Sequence, residues 1–184
     1  MRYCPQCGHA VNMTTPPGDN RVRAVCPSCD FIDYDNPRVI TGTIPLYKGK
    51  LLLCRRNIEP RLGFWTLPAG FMENQETTSE GALRETLEES GSVAICKQAF
   101  SMISIPHINQ IHLFYIAELE RDDFHATEES SEVALFDLKD IPWDELAFSS
   151  VTKTLTLFIE DHKNGTYGFH EDTIHLNNAY DLNQ

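Results

Sequence analysis

No stretch of the 184-residue chain approaches the roughly 18 to 20 consecutive apolar residues that a helical membrane span requires. A membrane partner is therefore not expected. Nor does the chain start like a secretory or transit segment, since Met1-Arg2-Tyr3 runs directly into Cys4, and a cytoplasmic location is expected. Basic residues are scarce: 15 Lys and Arg stand against 27 Asp and Glu, for a formal net charge of −12. Without a strong basic cluster this balance repels a nucleic-acid backbone, so a nucleic-acid partner is not expected either. Internal repeats and low-complexity tracts are absent, which excludes solenoid architectures. Aliphatic residues are sparse over residues 1–36, so that segment cannot build an apolar core and needs another staple.

Cysteine supplies the staple. Of six cysteines, four fall into the pairs Cys4-Pro5-Gln6-Cys7 and Cys26-Pro27-Ser28-Cys29, two C-x₂-C knuckles at a spacing suited to one tetrahedral four-thiolate site. A structural Zn²⁺ there would close its shell and fold a segment with little core of its own. Disulfides are the alternative, disfavoured in a chain with no secretion signal. Cys54 and Cys96 lack ligand spacing and read as packing residues.

From Pro37 onward the composition changes. Residues 38–46 and 50–56 read as strands around Gly49, followed by a Gly- and Pro-rich loop. A helix is expected over 78–90, with Thr77 and Glu80 spaced as a capping box and Gly91 just past the end. Residues 99–105, 111–117 and 133–138 read as further strands. Ser149 and Ser150 read as caps of a last helix carrying Val151, Leu155, Phe158 and Ile159 on one face and stopping at Asn164-Gly165. The expected organisation is a ribbon over 1–36, an α/β catalytic domain over 37–165 and a tail over 166–184.

At about 100° per residue, Ala82, Leu83, Thr86, Leu87 and Ser90 share one arc of the 78–90 helix, and Glu85, Glu88 and Glu89 share another. Grouped carboxylates repel unless a cation sits among them. Gly81 falls in the acidic sector and is expected to leave room for a ligand. Arg84, four residues before Glu88, is placed to pair with it. The bland reading is a solvated acidic face, but the preceding loop argues otherwise. Gly70, Glu76, Arg84, Glu85, Glu88, Glu89 and Gly91 together match the pattern G-x₅-E-x₇-R-E-U-x-E-E-x-G-U, where U is a bulky aliphatic residue.

That string resembles the Nudix box, and departs from it only at the U positions, Thr86 and Ser92. The resemblance implies an α/β/α sandwich with a mixed sheet and hydrolysis of a pyrophosphate bond in a small nucleotide substrate. It implies that Glu85 and Glu89 bind Mg²⁺ or Mn²⁺, with Glu88 as a further ligand or base and the Ala69 carbonyl completing the shell. Glu76 and Arg84 would be structural supports. Outside the box, Cys4–Asn36, Leu53–Asn57, Gly63–Gly70 and Leu146–Ser150 resemble a zinc-ribbon Nudix subfamily that includes the plant plastid FAD pyrophosphohydrolase. This implies cleavage of FAD to FMN and AMP, with ADP-ribose, or NADH, as an alternative. The Ser-Gln-Pro-Trp-Pro-Phe-Pro signature of zinc-ribbon NADH pyrophosphatases is absent after the box.

Further candidates are Arg55 and Arg56 for phosphate, Trp65 for stacking on a base, and Pro106 as the downstream proline of ADP-ribose-cleaving relatives. Glu129, chosen over Glu128 and Glu132, is the expected additional catalytic or metal-binding carboxylate. His107 and His112 read as ordinary loop or strand residues. A Nudix domain that senses its nucleotide without cutting it is the competing class, disfavoured by the intact box. The resemblance leaves a homodimer open.

Overall fold

The computed structural model describes residues 1–175 of the chain, which divides into two units, Met1–Pro37 and a second beginning at Arg38. Cysteine turns organise the first. The Gly8 N–H donates to the Cys4 carbonyl at 2.9 Å, and the Cys4 N–H donates to the His9 carbonyl at 2.8 Å. The second knuckle repeats this, with Asp30 N–H on the Cys26 carbonyl at 3.1 Å and Cys26 N–H on the Phe31 carbonyl at 2.8 Å. Each turn ends in a left-handed residue, Gly8 at φ 75° and Asp30 at φ 59°, a conformation glycine adopts freely and Asp tolerates better than most. Strands β1 (Asn12–Thr14), β2 (Arg23–Val25) and β3 (Ile32–Asp33) form an antiparallel sheet in that order.

The second unit is built on a mixed sheet. Its strands are β4 (Arg38–Tyr47), β5 (Lys50–Arg56), β6 (Trp65–Thr66), β7 (Ala69–Phe71), β8 (Ala94–Ile105), β9 (Gln110–Leu119), β10 (Ser130–Phe136) and β11 (His170–Thr173). The main order is β10-β5-β4-β9-β8-β11, with β6 on β5 and β7 on β4. Pairings β4/β9 and β8/β11 are parallel and the others antiparallel. Lys48 and Gly49, both at positive φ, make the two-residue turn joining β4 to β5, as the twist of a hairpin favours. The segment after Gly165, read from sequence as a tail, supplies β11 to the sheet edge. Residues 176–184 of that expected tail lie outside the described residues.

Two helices cover the sheet, α1 (Thr78–Ser90) and α2 (Ser149–Asn164), giving the expected α/β/α sandwich. Val151, Leu155 and Phe158 of α2 join Ile44, Leu53, Phe100 and Phe114 in the main core, all 0 to 2% exposed. Burying side chains of this size contributes roughly 1.5–3 kcal/mol each. The start of α2 differs from expectation: Phe148 occupies the cap position and Ser149 and Ser150 are the first two helical residues, because Phe148 is packed against the core.

Helix α1 begins and ends where expected. The Thr77 hydroxyl accepts from the Glu80 N–H at 3.2 Å, the Glu80 carboxylate accepts from the Thr77 N–H at 2.7 Å, and Gly91 closes the helix at φ 71°. Its buried arc overlaps both arcs read from the sequence. Leu87 is 49% exposed, whereas Glu85 and Glu89 are 8% and 5% exposed alongside Ala82, Thr86 and Ser90. The helix is rotated toward its carboxylates because the sheet face beneath it is polar. Thr43 of β4 lies under Thr86, with their hydroxyls 2.6 Å apart, and the Thr86 hydroxyl donates to the Ala82 carbonyl at 2.7 Å. Thr86 has a single proton, so Thr43 is the donor in the pair. The departure from a bulky aliphatic residue at position 86 is thereby explained: a buried hydroxyl pair replaces a methyl contact.

Thr86→Val should accordingly strand the fully buried Thr43 hydroxyl and cost about 1–3 kcal/mol of stability. Adding Thr43→Val should recover most of that loss in urea denaturation. Simple additivity of the two single changes would show that the hydroxyls are not coupled.

Candidate active site

Backbone contacts at two glycines set the site. Gly42 of β4 pairs with Ala69 of β7, and a Cβ there would overlap Ala69, the Pro68 carbonyl and Phe114. The Pro68-Ala69-Gly70 loop can lie on the sheet only because that Cβ is missing. A Cβ on Gly70 would in turn overlap the Glu85 carboxylate, so α1 presses its acidic face directly against the loop.

Arg84 holds this face together. Its guanidinium donates to both oxygens of Glu76 at 2.9 and 3.1 Å, to Glu85 at 2.7 Å, to Glu88 at 3.0 Å and to the Phe71 carbonyl at 3.1 Å. The Glu76 carboxylate also accepts from the Glu73 N–H at 2.6 Å. Arg84 hydrogen bonds first, with the Glu73 N–H second, hold its pKa down at about 2. Gly81 does not open space for a ligand: a Cβ there would meet Glu76 and Thr41, so the missing side chain admits the Glu76 carboxylate instead.

Glu85 and Glu89 face a different environment. Burial, reinforced by the charge of Glu85, raises the Glu89 pKa to about 8, and Arg56 and the Ala69 N–H offset only part of this. Glu85 is also raised, chiefly by burial, against the opposing pull of Arg84. The pair thus has more negative charge than nearby protein can compensate.

Both carboxylates open onto a cleft of about 590 Å³. Of the residues singled out in the sequence, Ala69, Arg84, Glu85, Glu88, Glu89, Arg56 and Glu129 line it. Arg56 is positioned by a hydrogen bond to the Pro60 carbonyl at 2.8 Å and by stacking of its guanidinium on the Phe148 ring at 5.0 Å. Three expected substrate contacts do not reach the cleft. Trp65, 6% exposed, is a core residue packed edge-on against Phe136 at 5.0 Å, so its face is not free to stack on a base. Arg55 points to the face of β5 opposite Arg56, as strand alternation requires, lying over the Trp65 ring and bonding the Gly63 carbonyl at 2.9 Å and Glu132 at 3.3 Å. Pro106 is exposed and opens a 3₁₀ turn, and it is the flanking Ile105 and Ile108 that line the cleft. Gln110 and His112 of β9 do line it. The sequence signal for them was the alternation Gln110, His112, Phe114 after the turn at Pro106, which places all three on one face.

In the first unit, the four sulfur atoms of Cys4, Cys7, Cys26 and Cys29 lie within 4.8 Å of one another, so one ion could engage them all. No described helix is long and apolar enough to cross a membrane.

Residues 36–155 match the NUDIX domain model and residues 2–35 match the Nudix N-terminal zinc-ribbon model. The chain belongs to the Nudix hydrolase family, and it is a Nudix pyrophosphohydrolase carrying an amino-terminal cysteine ribbon. It is similar to an ADP-ribose pyrophosphatase of Methanocaldococcus jannaschii, with 31% identity over 121 residues covering 62% of this chain and 69% of that protein. It is similar to an NAD-capped RNA hydrolase of Chromobacterium violaceum, with 34% identity over 139 residues covering 74% of this chain. The chain spans about half, 51%, of the length of that second relative. A solved NUDIX hydrolase from Nitrosomonas europaea superposes with a TM-score of 0.92 at 44% identity, covering 95% of this chain and 99% of that one.

The Glu76 shift has a definite sign. Its pKa is lower in the folded protein, about 2, than its ordinary value of 4.5, so its contribution to stability is complete above about pH 4.5 and is lost as pH falls toward 2. Wild type should exceed Glu76→Gln in stability at about pH 6, and the gap should close on acidification to about pH 2. A gap independent of pH in denaturant titrations would assign the effect to packing rather than to charge.

Proposed function

We propose that the protein cuts the diphosphate of an adenosine diphosphate-linked compound with water, using Mg²⁺ or Mn²⁺, and that its preferred substrate is FAD, split to FMN and AMP. The observation that supports a metal most strongly is the Glu85 and Glu89 pair, two buried carboxylates facing one cleft with too little positive charge around them. A divalent ion between them would relieve that cost, and oxygen donors suit these hard cations. Glu85, Glu89 and the Ala69 carbonyl would hold it, with the more exposed Glu88 as a further ligand. When bound, the ion neutralises the diphosphate and makes water more acidic.

The protein's own groups then position and move protons. Arg84 fixes Glu85 and Glu88 through the network anchored on Glu76. Arg56 offers a guanidinium fork to a phosphate oxygen. Glu129 lines the cleft, and its carboxylate makes no ion pair among the described residues; this leaves it as the group to accept the proton of the attacking water. In the ribbon, the four thiolates would bind Zn²⁺ in a closed tetrahedral shell, which suits a structural role.

The stretches Leu53–Asn57 and Gly63–Gly70 support FAD through the subfamily they resemble. The second reading is ADP-ribose, favoured by the name of the Methanocaldococcus relative. Incubation with FAD, ADP-ribose, NADH and NAD-capped RNA in Mg²⁺, with product identification, should give FMN and AMP from FAD at the highest kcat/KM. Turnover of ADP-ribose without release of FMN from FAD would replace the first reading with the second.

Glu89→Gln should lower kcat on the order of a hundredfold or more, since loss even of groups that only support a metal ligand costs about 10–100-fold. The metal-free protein should retain its melting temperature at neutral pH, because a carboxyl raised to about 8 is already largely uncharged there and glutamine has nearly its shape. Near-normal turnover in that variant would place the metal elsewhere.

A further inference from the structure

The cleft has a second wall of different chemistry. Gln110, His112 and Phe114 project from one face of β9 and line it. The His112 Nε2 lies 3.0 Å from the Gln110 Oε1, and burial pushes the imidazole pKa down to about 4, which keeps the ring neutral at physiological pH. A neutral imidazole has one donor and one acceptor nitrogen. With the proton on Nε2, the pair presents Nδ1 as an acceptor and the Gln110 amide N–H as a donor. With the other tautomer and a reversed amide, it presents an Nδ1–H donor and a carbonyl acceptor. Either way an adjacent donor and acceptor remain, without charge. Ile105, Ile108 and Val151 contribute apolar surface to the same cleft. Such a wall suits a flat, uncharged heterocycle and is a poor partner for phosphate.

Its place in the sheet fits. His112 is paired with Ile40 of β4, and Ile40 is paired with Phe71 of β7, next to Gly70 of the catalytic loop. Two inter-strand steps put His112 about 10 Å from that loop, a separation of the order that a ribose spans between the phosphates and the base of a nucleotide.

We infer that Gln110 and His112 form the adenine-recognition edge of the cleft, taking the N6 amino group as donor and the adjacent ring nitrogen as acceptor. The inference rests on the reading of the substrate as adenosine diphosphate-linked, and it names the half of that substrate that β9 receives. Adenine carries this donor and acceptor side by side, the arrangement a glutamine amide reads in other contexts. The contact acts by binding and does not touch the diphosphate.

The test is calorimetric binding of AMP, of 1,N6-ethenoadenosine monophosphate, which blocks N6 and N1, and of 7-deaza-AMP, which removes N7, to the Mg²⁺-loaded full chain. The etheno analogue carries the comparison, and the deaza analogue tells which ring nitrogen is read. Wild type should bind AMP at least about tenfold more tightly than the etheno analogue, the effect of about 1.4 kcal/mol. In His112→Phe, and independently in the half-buried Gln110→Met, that ratio should fall below about threefold. The second variant carries the test if the first does not fold. Equal binding of the two ligands by wild type, an unchanged ratio in both folded variants, or a parallel loss of inorganic pyrophosphate affinity would overturn the assignment. A preference among FMN analogues altered at the flavin edge, lost in the variants and unaccompanied by one for AMP, would overturn it too. Because AMP binding needs no turnover, a chain that discriminates without hydrolysing FAD leaves this assignment standing while rejecting the proposed reaction. A chain that hydrolyses FAD without discriminating does the reverse.

Discussion

Everything in the catalytic half of the cleft depends on one guanidinium. Arg84 engages Glu76, Glu85, Glu88 and the Phe71 carbonyl at once, so a single cation fixes a loop and the acidic face of α1. The planar fork of arginine makes this geometry available, and a lysine point charge would not reproduce it. The arrangement also divides the carboxylates. Glu76 takes Nε and one Nη of the guanidinium and is held strongly acidic, whereas Glu89 receives no arginine hydrogen bond among the described residues and has its acidity suppressed by burial. One helix and its leading loop thus contain carboxyl groups of opposite tendency, a contrast that arises from geometry and not from residue type.

The polar strip beneath α1 makes this division possible. An amphipathic helix normally turns its carboxylates outward, yet here Leu87 faces solvent and Glu89 is nearly inaccessible. Thr43 and Thr86 satisfy one another across the interface, so the helix can seat on the sheet without a large apolar contact. The helix therefore remains rotated enough for Glu85 and Glu89 to face the loop. The close approach allowed by Gly42 and Gly70 completes this seating. The main core is supplied by α2, which packs Val151, Leu155 and Phe158 on the sheet, so the interface under α1 is free to be polar.

How far the sequence discloses this differs from element to element. The limits of α1 were legible because a capping box and a C-terminal glycine are local signals, and the ribbon because C-x₂-C spacing is local as well. The Glu85, Glu88 and Glu89 strip was legible from helical periodicity together with the spaced glycine and Glu76. The buried arc of α1 was not, since it is decided by Thr41 and Thr43 on a strand some forty residues away. Trp65 and Arg55 read as ligand contacts because aromatics and arginines near a catalytic loop carry no mark of which face of a short strand they occupy. Strand β11 escaped because its four residues, His170 to Thr173, are all polar and carry no apolar alternation in the sequence, and only the edge of β8 gives them a partner.

The sheet also explains why one cleft can serve two unlike halves of a ligand. Its charged wall comes from α1 and the β7 loop, and its neutral wall comes from β9, with β4 lying between them and pairing to both. Because β4 is hydrogen-bonded on both sides, the spacing between the two walls is set by backbone geometry rather than by side-chain packing. On the proposed assignment, substitutions on the neutral wall would alter which base is accepted without moving the carboxylates, and the acidic wall could be tuned without changing base selection. Arg56 lies at the seam: it lines the cleft, feels the charges of Glu89 and Glu129, and rests on Phe148 at the start of α2. On the proposed reading, a cation held there against an aromatic face would meet the diphosphate between the acidic wall and the neutral one.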